Sequence, residues 1–342
     1  MSSTQVRPSQ PAASVPVARA SLSRALAILG AVLVVACVGS VLIGSTSVAW
    51  NALLDGGDPG HAVATARLTR TLIALAAGGA LGLAGACMQG LARNPLADPG
   101  ILGINAGASF AMIVAIALLG LSDLSSYVWF AFAGAAVTGL VVQVVASRAG
   151  GGANPLTLVI TGAAVTAALT SWVSGVLLID RWAMEQFRFW AVGTVGGRPL
   201  DTLLTVLPFL LLGALLAIAS ARTLDSLALG DDLSRGLGGH PARDRAVVWV
   251  AVVLLAGGAT ALAGPIAFVG LVVPHLARTI VGPAHGRVLP LALGYGAALT
   301  VVADTLGRVV LPPTEVQVGV MTALVGAPVF VLLARRSRIG GL

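Results

Sequence analysis

The chain has 342 residues, of which 57% are hydrophobic and only 10% are charged, with a formal net charge of +7. This composition excludes an ordinary soluble globular protein and indicates an integral membrane protein. The chain contains arginine but no lysine, so it can hold neither the G-x-x-x-x-G-K-[ST] phosphate loop nor a Schiff-base lysine.

The N-terminal residues 1–23 are rich in Ser, Pro and Ala and contain arginine but no acid. We expect them to form a disordered cytoplasmic tail. The first apolar span, residues 25–44, is longer than the apolar region of a signal peptide, so we expect no cleavage. Trp50, in the external segment that follows, suits the membrane interface. Residues 24–338 are then expected to form a single transmembrane domain.

The second span, residues 72–88, carries no charge and is flanked by Arg67, Arg70 and Arg93. Counted to those flanks, it is long enough to cross a hydrocarbon core of roughly 30 Å, which takes about 20 residues. Because small residues let helices approach closely in a membrane, one face is expected to pack against another helix. Its small residues recur at four-residue spacing: Gly78, Gly82 and Ala86. The sequence N-P-L-A-D-P-G at 94–100 predicts a short ordered turn.

Eight more apolar stretches predict the remaining spans. Residues 180–201, between the fifth and sixth spans, mix tryptophan with alternating charge and predict a short external helix at the outer surface. Pro265 and Pro274 are expected to shorten or kink the eighth span. The predicted third to tenth spans are residues 104–119, 127–146, 156–179, 202–221, 246–263, 266–276, 289–305 and 316–333.

Ten spans with both termini in the cytoplasm place most of the arginines inside, as the positive-inside rule requires. The arginines lie near span ends, which membrane orientation explains better than nucleic-acid binding, so no nucleic acid is expected as a partner. Cys37 and Cys87 fall inside apolar spans, and neither a disulfide nor a metal site is expected. The arginines placed outside are Arg67, Arg70, Arg181, Arg188, Arg198 and Arg308.

The middle of the predicted spans lacks ionisable side chains. No ionisable residue lies near the predicted middle of a span, and Asp304, Arg308 and His275 lie toward span ends. Self-powered carriers normally keep an ionisable group or a broken helix at mid-depth. An intramembrane enzyme would need a nucleophile facing a base, and the chain contains no such motif. A partner must therefore supply the energy for any active transport, and no catalytic residue is expected here.

The segment 222–245 is the most polar internal stretch, and we call it the coupling segment. Leu229, Leu233 and Leu237 recur every four residues, while Asp231 and Arg235 form an i, i+4 pair on another face. This pattern predicts a short amphipathic helix on the inner surface. A solvated loop with one salt bridge is the alternative.

Several strings together resemble one family, the permease subunits of ATP-driven (ABC) importers for ferric siderophores, haem and cobalamin. The resemblance covers residues 25–336, except that E-V-Q-V-G at 315–319 replaces the family's usual E-L-P-x-G. It implies an all-α integral membrane protein with about ten transmembrane helices and type II ABC importer permease architecture. The matching strings are R-L-x-R, R-N-P-L-A-D-P, G-I-N-A-G-A-S, A-L-G-D-D-x-S-R-x-L-G, A-D-x-x-x-R and the run of residues 263–282.

The resemblance assigns roles to three groups of residues. Three arginines would pair with glutamates of the binding protein: Arg67, Arg70 and Arg308. Arginines that only snorkel from span ends to the membrane surface are the alternative. The coupling segment would form two short helices that dock in a groove on the ATPase subunit, through seven residues: Leu229, Gly230, Asp231, Asp232, Arg235, Leu237 and Gly238. Two residues align with an inner gate: Asn154 and Pro155.

The resemblance also implies partners. They are a second permease subunit, identical or not, two ATPase subunits that hold ATP and Mg, and an extracytoplasmic substrate-binding protein. The chain itself would hold no cofactor and would be a multi-pass protein of the plasma (inner) membrane. A ferric siderophore is the expected cargo, with cobalamin or haem as the alternative and a secondary carrier as a less favoured class.

Overall fold

The computed structural model describes residues 21–44, 46, 52–121, 124–148, 155–236 and 238–339. Within these ranges the chain is all helical, with thirteen α-helices and a short 3-10 turn at Pro99–Leu102. The helices are α1 (Leu22–Leu42), α2 (His61–Ala92), α3 (Ile104–Leu119), α4 (Leu124–Arg148), α5 (Pro155–Ile179), α6 (Arg181–Ala191), α7 (Leu200–Ala219), α8 (Ala221–Ala228), α9 (Asp231–Gly236), α10 (Pro241–Ala263), α11 (Val269–Val281), α12 (His285–Val310) and α13 (Val318–Ile339).

Each of the ten predicted spans coincides with one helix. Seven of the described helices are long and apolar enough to cross a membrane, and three apolar helices are shorter. The expected external helix is α6, where the Asp180 carboxylate accepts a hydrogen bond from the Ala183 amide at 2.9 Å and so caps the first turn. The predicted tail, except its last three residues, and the interfacial Trp50 lie outside the described residues.

Several predicted spans have the wrong bounds, and in the second and the eighth the local structure shows why. The second was placed at 72–88, but α2 spans His61–Ala92, so Arg67 and Arg70 lie within the helix rather than before it. Arginine is a good helix former, and polar partners outside α2 allow Arg67 to be buried and Arg70 to be only slightly exposed. The eighth was placed at 266–276, but α11 is Val269–Val281 because Phe268, with a φ of 68°, breaks the helix before it. Pro274 lies inside α11 without ending it.

The turn after α2 forms as predicted. Arg93 adopts a left-handed φ of 47° and ends α2, and its amide donates to the Gly90 carbonyl. The Asp98 carboxylate then accepts from the Gly100 amide at 2.8 Å. Gly103, with a φ of 72°, starts α3. Residues 93–103 thus form a short ordered connection between α2 and α3.

Helix α2 is the centre of the bundle and α5 is at its edge. Of the residues in the most apolar window of α2, 83% are buried, against 11% for α5. The small face of α2 packs as predicted: a methyl group on Gly78 or Gly82 would collide with the backbone of α12. A methyl group on Gly85 would collide with Gly270 of α11. Helices α2, α11 and α12 therefore lie backbone to backbone.

The bundle has two polar ends. One contains Arg67, Arg70 and Arg308, and the other contains the coupling segment with α8 and α9. We call them the outer end and the inner end, after the orientation that the arginine bias predicts.

Candidate functional site

The three arginines predicted to dock a partner meet at the outer end, although about 240 residues separate Arg70 from Arg308 in the chain. Arg70 of α2 is the centre of this outer arginine cluster. Its Nε lies 2.9 Å from both carboxylate oxygens of Asp304, and its Nη2 lies 2.8 Å from Oδ1. Its Nη1 donates to Glu315 at 2.5 Å. One guanidinium therefore bridges two carboxylates from α12 and the loop after it.

Arg67 and Arg308 tie the end of α1 to the bundle. Arg308 donates to the Ser40 carbonyl at 2.9 Å and to its hydroxyl at 2.7 Å, while its Nε lies 3.3 Å from Asp304. Arg67 donates to the carbonyls of Val41 and Leu42 at 3.2 and 3.1 Å. Both cations thus lie at a helix C-terminus, where the helix dipole favours positive charge. With 6% and 1% of their surface exposed, Arg67 and Arg308 already have internal partners, and their docking role stays a prediction.

An open outer pocket of about 370 Å³ lies above this cluster. Its lining includes Arg67, Arg70, Arg308 and Glu315, and also Gly197. Arg198, the next residue, is 8% exposed and forms no ion pair with any carboxylate that the structure describes. Burial lowers the pKa of Arg198 to about 10. Three arginines and one carboxylate line the outer pocket, so its charge is locally positive, which favours an acidic group of a partner there.

At the inner end, the coupling segment contains two short helices, as the family resemblance implies, whereas the leucine spacing predicted a single one. Gly230, with a φ of 107°, separates α8 from α9. Leu229 and Leu233 are 57% and 61% exposed, so they form an apolar surface available to a partner. Leu224 and Leu227 face inward instead and are buried.

The predicted pair between Asp231 and Arg235 does not form. Asp231 accepts from Arg93 at 2.7 Å and from Arg245 at 2.5 Å, whereas Arg235 bonds Asp232 at 3.0 Å. Because α9 begins at Asp231, that side chain turns back toward α2 and α10. The hydrogen bond from Arg245, followed by that from Arg93, holds the pKa of Asp231 below its ordinary value.

The remaining predicted site residues are only partly visible. Leu237 and Asn154 lie outside the described residues, Pro155 begins α5, and Gly238 adopts a φ of 82° after α9. The coupling and gate roles therefore stay predictions. Among the described residues, no group of three or more His, Cys, Asp or Glu side chains is placed to hold a metal ion.

The sequence analysis missed a polar face on α5. An open cavity of about 1040 Å³ runs along this helix, with Asp98 and Gly100 at its edge. Its four-residue hydroxyl spacing was visible in the sequence and is unusual for a face in contact with lipid. The hydroxyl residues on this face are Thr166, Thr170, Ser171 and Ser174.

Comparison with known proteins gives three results. The model of the FecCD transport family matches residues 27–336. The chain is 44% identical over 329 residues to the ferric enterobactin transport system permease protein FepD of Escherichia coli K12, covering 94% of this chain and 98% of FepD. It is 39% identical over 311 residues to the probable siderophore transport system permease protein YfiZ of Bacillus subtilis 168, covering 89% and 93% of the two chains.

One solved structure, an inward-facing metal-chelate type ABC transporter, superposes with a TM-score of 0.80 at 27% identity. The superposition covers 92% of this chain and 99% of that one. The all-helical arrangement is therefore that of an ABC transporter subunit along almost its whole length.

Proposed function

Because the chain belongs to the FecCD transport family, we propose that it is the permease subunit of an ATP-driven importer whose cargo is a ferric siderophore. The observation that carries this proposal is the 44% identity to FepD, a ferric enterobactin permease, over nearly the whole of both chains. The similarity to YfiZ, named for siderophore transport, supports the same cargo class.

The pathway for the cargo is proposed to follow α5. This helix is mostly exposed in the single subunit, and it presents both hydroxyls and large apolar side chains, with Trp172 68% exposed. A second permease subunit, of the same or a related sequence, would cover this face and enclose a channel between two α5 helices. Scattered hydroxyls on a wide apolar wall suit a bulky ligand that must pass without tight binding.

Energy is proposed to come from two separate ATPase subunits, which would hold ATP and Mg. This chain has no lysine and hence no phosphate loop of the G-x-x-x-x-G-K-[ST] type. The exposed Leu229 and Leu233 offer an apolar surface of the kind that a groove on another subunit accepts. Asp231 ties this surface to α2 through Arg93 and to α10 through Arg245. Movement of the ATPase would therefore be transmitted to the bundle.

We propose that an extracytoplasmic binding protein with acidic docking residues delivers the cargo at the outer arginine cluster. Asp304 is 1% exposed and contacts both Arg70 and Arg308, so it is a fixed part of the fold. Glu315 is 37% exposed, and among the described arginines it forms an ion pair with Arg70 alone. An incoming carboxylate would therefore replace Glu315, because that exchange leaves the buried pair intact.

The test is reconstitution of the chain with its cognate permease partner, ATPase and binding protein in proteoliposomes. Iron-55 uptake as a ferric siderophore should require ATP and the binding protein, and cobalamin and haem should not compete. Uptake of cobalamin or haem instead would assign the alternative cargo. Uptake without the ATPase would contradict the importer mechanism itself.

A further inference from the structure

A second pocket, of about 480 Å³, lies at the inner end between α2, α8, α11 and α12. We call it the inner pocket, and of its lining residues only Arg93 has a role in the proposals above. Its charged and polar lining includes Gln89, Arg93, Asp225, Arg278 and His285. It brings side chains from four helices to one place.

Arg278 is the unbalanced charge in this pocket. Its Nη1 donates to the side-chain oxygen of Gln89, and no carboxylate in the described part of the chain forms an ion pair with it. The Gln89 amide nitrogen donates to the carbonyls of Gly270 and Leu271 at 3.3 and 3.2 Å, which fixes the amide with its oxygen toward Arg278. A neutral amide holds the guanidinium in position but does not neutralise it.

The acids nearby are already engaged. Asp225 accepts from the His285 amide at 3.0 Å and lies 2.7 Å from its Nδ1. Asp231 is shared by Arg93 and Arg245. The other ring nitrogen of His285, Nε2, is buried without a hydrogen-bond partner. The inner pocket therefore contains one unpaired cation and one unused imidazole nitrogen.

The mouth of the inner pocket opens on the surface that carries the coupling segment. Its rim includes the exposed residues Asn94, Pro95 and Ala228. Ala228 directly precedes Leu229, and Arg93 in the pocket wall bonds Asp231 of α9. A subunit seated on the exposed leucines would thus also cover this mouth.

We infer that the inner pocket receives a carboxylate side chain of the ATPase subunit and pairs it with Arg278, an inference that rests on the proposed function. Any anion in this pocket also faces the Asp225 carboxylate, and a singly charged carboxylate, which is enough to balance Arg278, is repelled less than a doubly charged phosphate group. A charge-assisted pair in a partly buried pocket is stronger than a neutral hydrogen bond. The ATPase would then contact α2, α11 and α12 directly, beside α8 and α9.

The test compares two variants of the full complex, Arg278→Gln and the control Arg287→Gln, whose arginine is exposed on α12 outside both the coupling segment and the pocket lining. We expect Arg278→Gln to weaken ATPase binding about tenfold or more, because it removes one member of a charge pair in a partly buried interface, and Arg287→Gln to change it little. Arg278→Glu should abolish binding, and one Asp→Arg or Glu→Arg substitution on the ATPase docking face should restore it.

A second variant shows whether lost binding by Arg278→Gln comes from the pocket or from a folding defect. Ala284 is an exposed residue of the pocket wall outside the coupling segment, so Ala284→Trp should fill the pocket, leave Arg278 in place and reduce ATPase binding as well. Normal binding by both Arg278→Gln and Ala284→Trp would overturn the inference.

Arg278-dependent binding of inorganic phosphate, or of phosphatidylglycerol nanodiscs, to the permease without ATPase would also overturn it. Because ATPase binding is measured without cargo, a wrong cargo assignment does not change the outcome for Arg278. If the unaltered chain binds no ATPase, that result contradicts the proposed function itself.

Discussion

Asp304 and Glu315 contact the same guanidinium, but burial gives them different roles. Asp304 is 1% exposed and is shared by two arginines, while Glu315 is 37% exposed and has one arginine partner. A buried charge that loses its partner is costly, whereas an exposed pair contributes little to stability. The two carboxylates therefore separate a structural contact from an exchangeable one.

We expect Asp304→Asn to destabilise the permease by about 3–5 kcal/mol, because Arg70 and Arg308 would keep buried charges without their shared acid. Thermal unfolding in detergent should show this as a large fall in Tm. Glu315→Gln should unfold near the temperature of the unaltered chain. An equal loss in both variants would show that Glu315 is structural.

Glu315→Gln should also bind the substrate-binding protein more tightly than the unaltered chain. The neutral amide competes less well with an incoming carboxylate for Arg70, so the affinity should rise and become more dependent on salt. Surface-immobilised binding protein titrated at two ionic strengths measures both effects. Unchanged affinity would indicate that docking does not use Arg70.

At the scale of helices, the glycines of α2 allow it to pack closely against its neighbours. Methyl groups on Gly78 and Gly82 would each collide with the backbone of α12. Around Gly30 of α1, by contrast, no atom apart from its chain neighbours and its own helix backbone lies within 4 Å of the position a methyl group would take. The same substitution therefore tests close packing in one helix and helix propensity alone in another.

Gly82→Ala should lower the free energy of unfolding by about 1–3 kcal/mol, because the added methyl group meets the backbone of α12 and that helix must shift to make room. Gly30→Ala should be neutral or stabilise by up to about 1 kcal/mol. Thermal unfolding of the two variants in the same detergent gives the comparison. A stable Gly82→Ala variant would argue against the contact between α2 and α12.

The short helix α9 is held in place by Asp231. Asp231→Asn should speed hydrogen exchange across residues 231–236 without affecting α7 or α10, while Asp232→Asn, at a fully exposed carboxylate, serves as the control.

The folded-state pKa of Asp231 is lowered, so the stability that its ion pairs contribute is complete above the ordinary aspartate pKa of about 3.9 and is lost as pH falls through the lower folded value. Exchange in this helix should therefore be insensitive to Asp231 titration near neutral pH, and acid sensitivity near pH 6 would contradict the pairing.

At the scale of the whole molecule, the two exposed apolar helices α1 and α5 differ in chemistry. Val35 of α1 is 72% exposed among other aliphatic side chains, as suits lipid. Ser171 of α5 lies in the large cavity with other hydroxyl residues. The difference predicts that α5 faces a second permease subunit and the pathway.

A Ser171→Cys variant in a Cys37→Ser and Cys87→Ser background, labelled with a maleimide-benzophenone probe, should photocrosslink to the second permease subunit. The matched Val35→Cys variant should crosslink to lipid alone. Gel electrophoresis with mass spectrometry distinguishes the products. The reverse pattern would place α1, and not α5, at the subunit interface.

The sequence by itself determined the class of protein, the approximate positions of the ten spans, the turn after α2 and the small face of α2. These features are local, because a helix in lipid satisfies its own backbone and its length and apolar character can be counted along the chain. Only the tertiary structure decided the partners of the polar side chains. Arg70 bonds Asp304 across 234 positions, Asp231 bonds Arg93 and Arg245 rather than Arg235, and Arg278 finds the amide of Gln89. Such pairs depend on how distant helices pack, and no spacing within one segment specifies that packing.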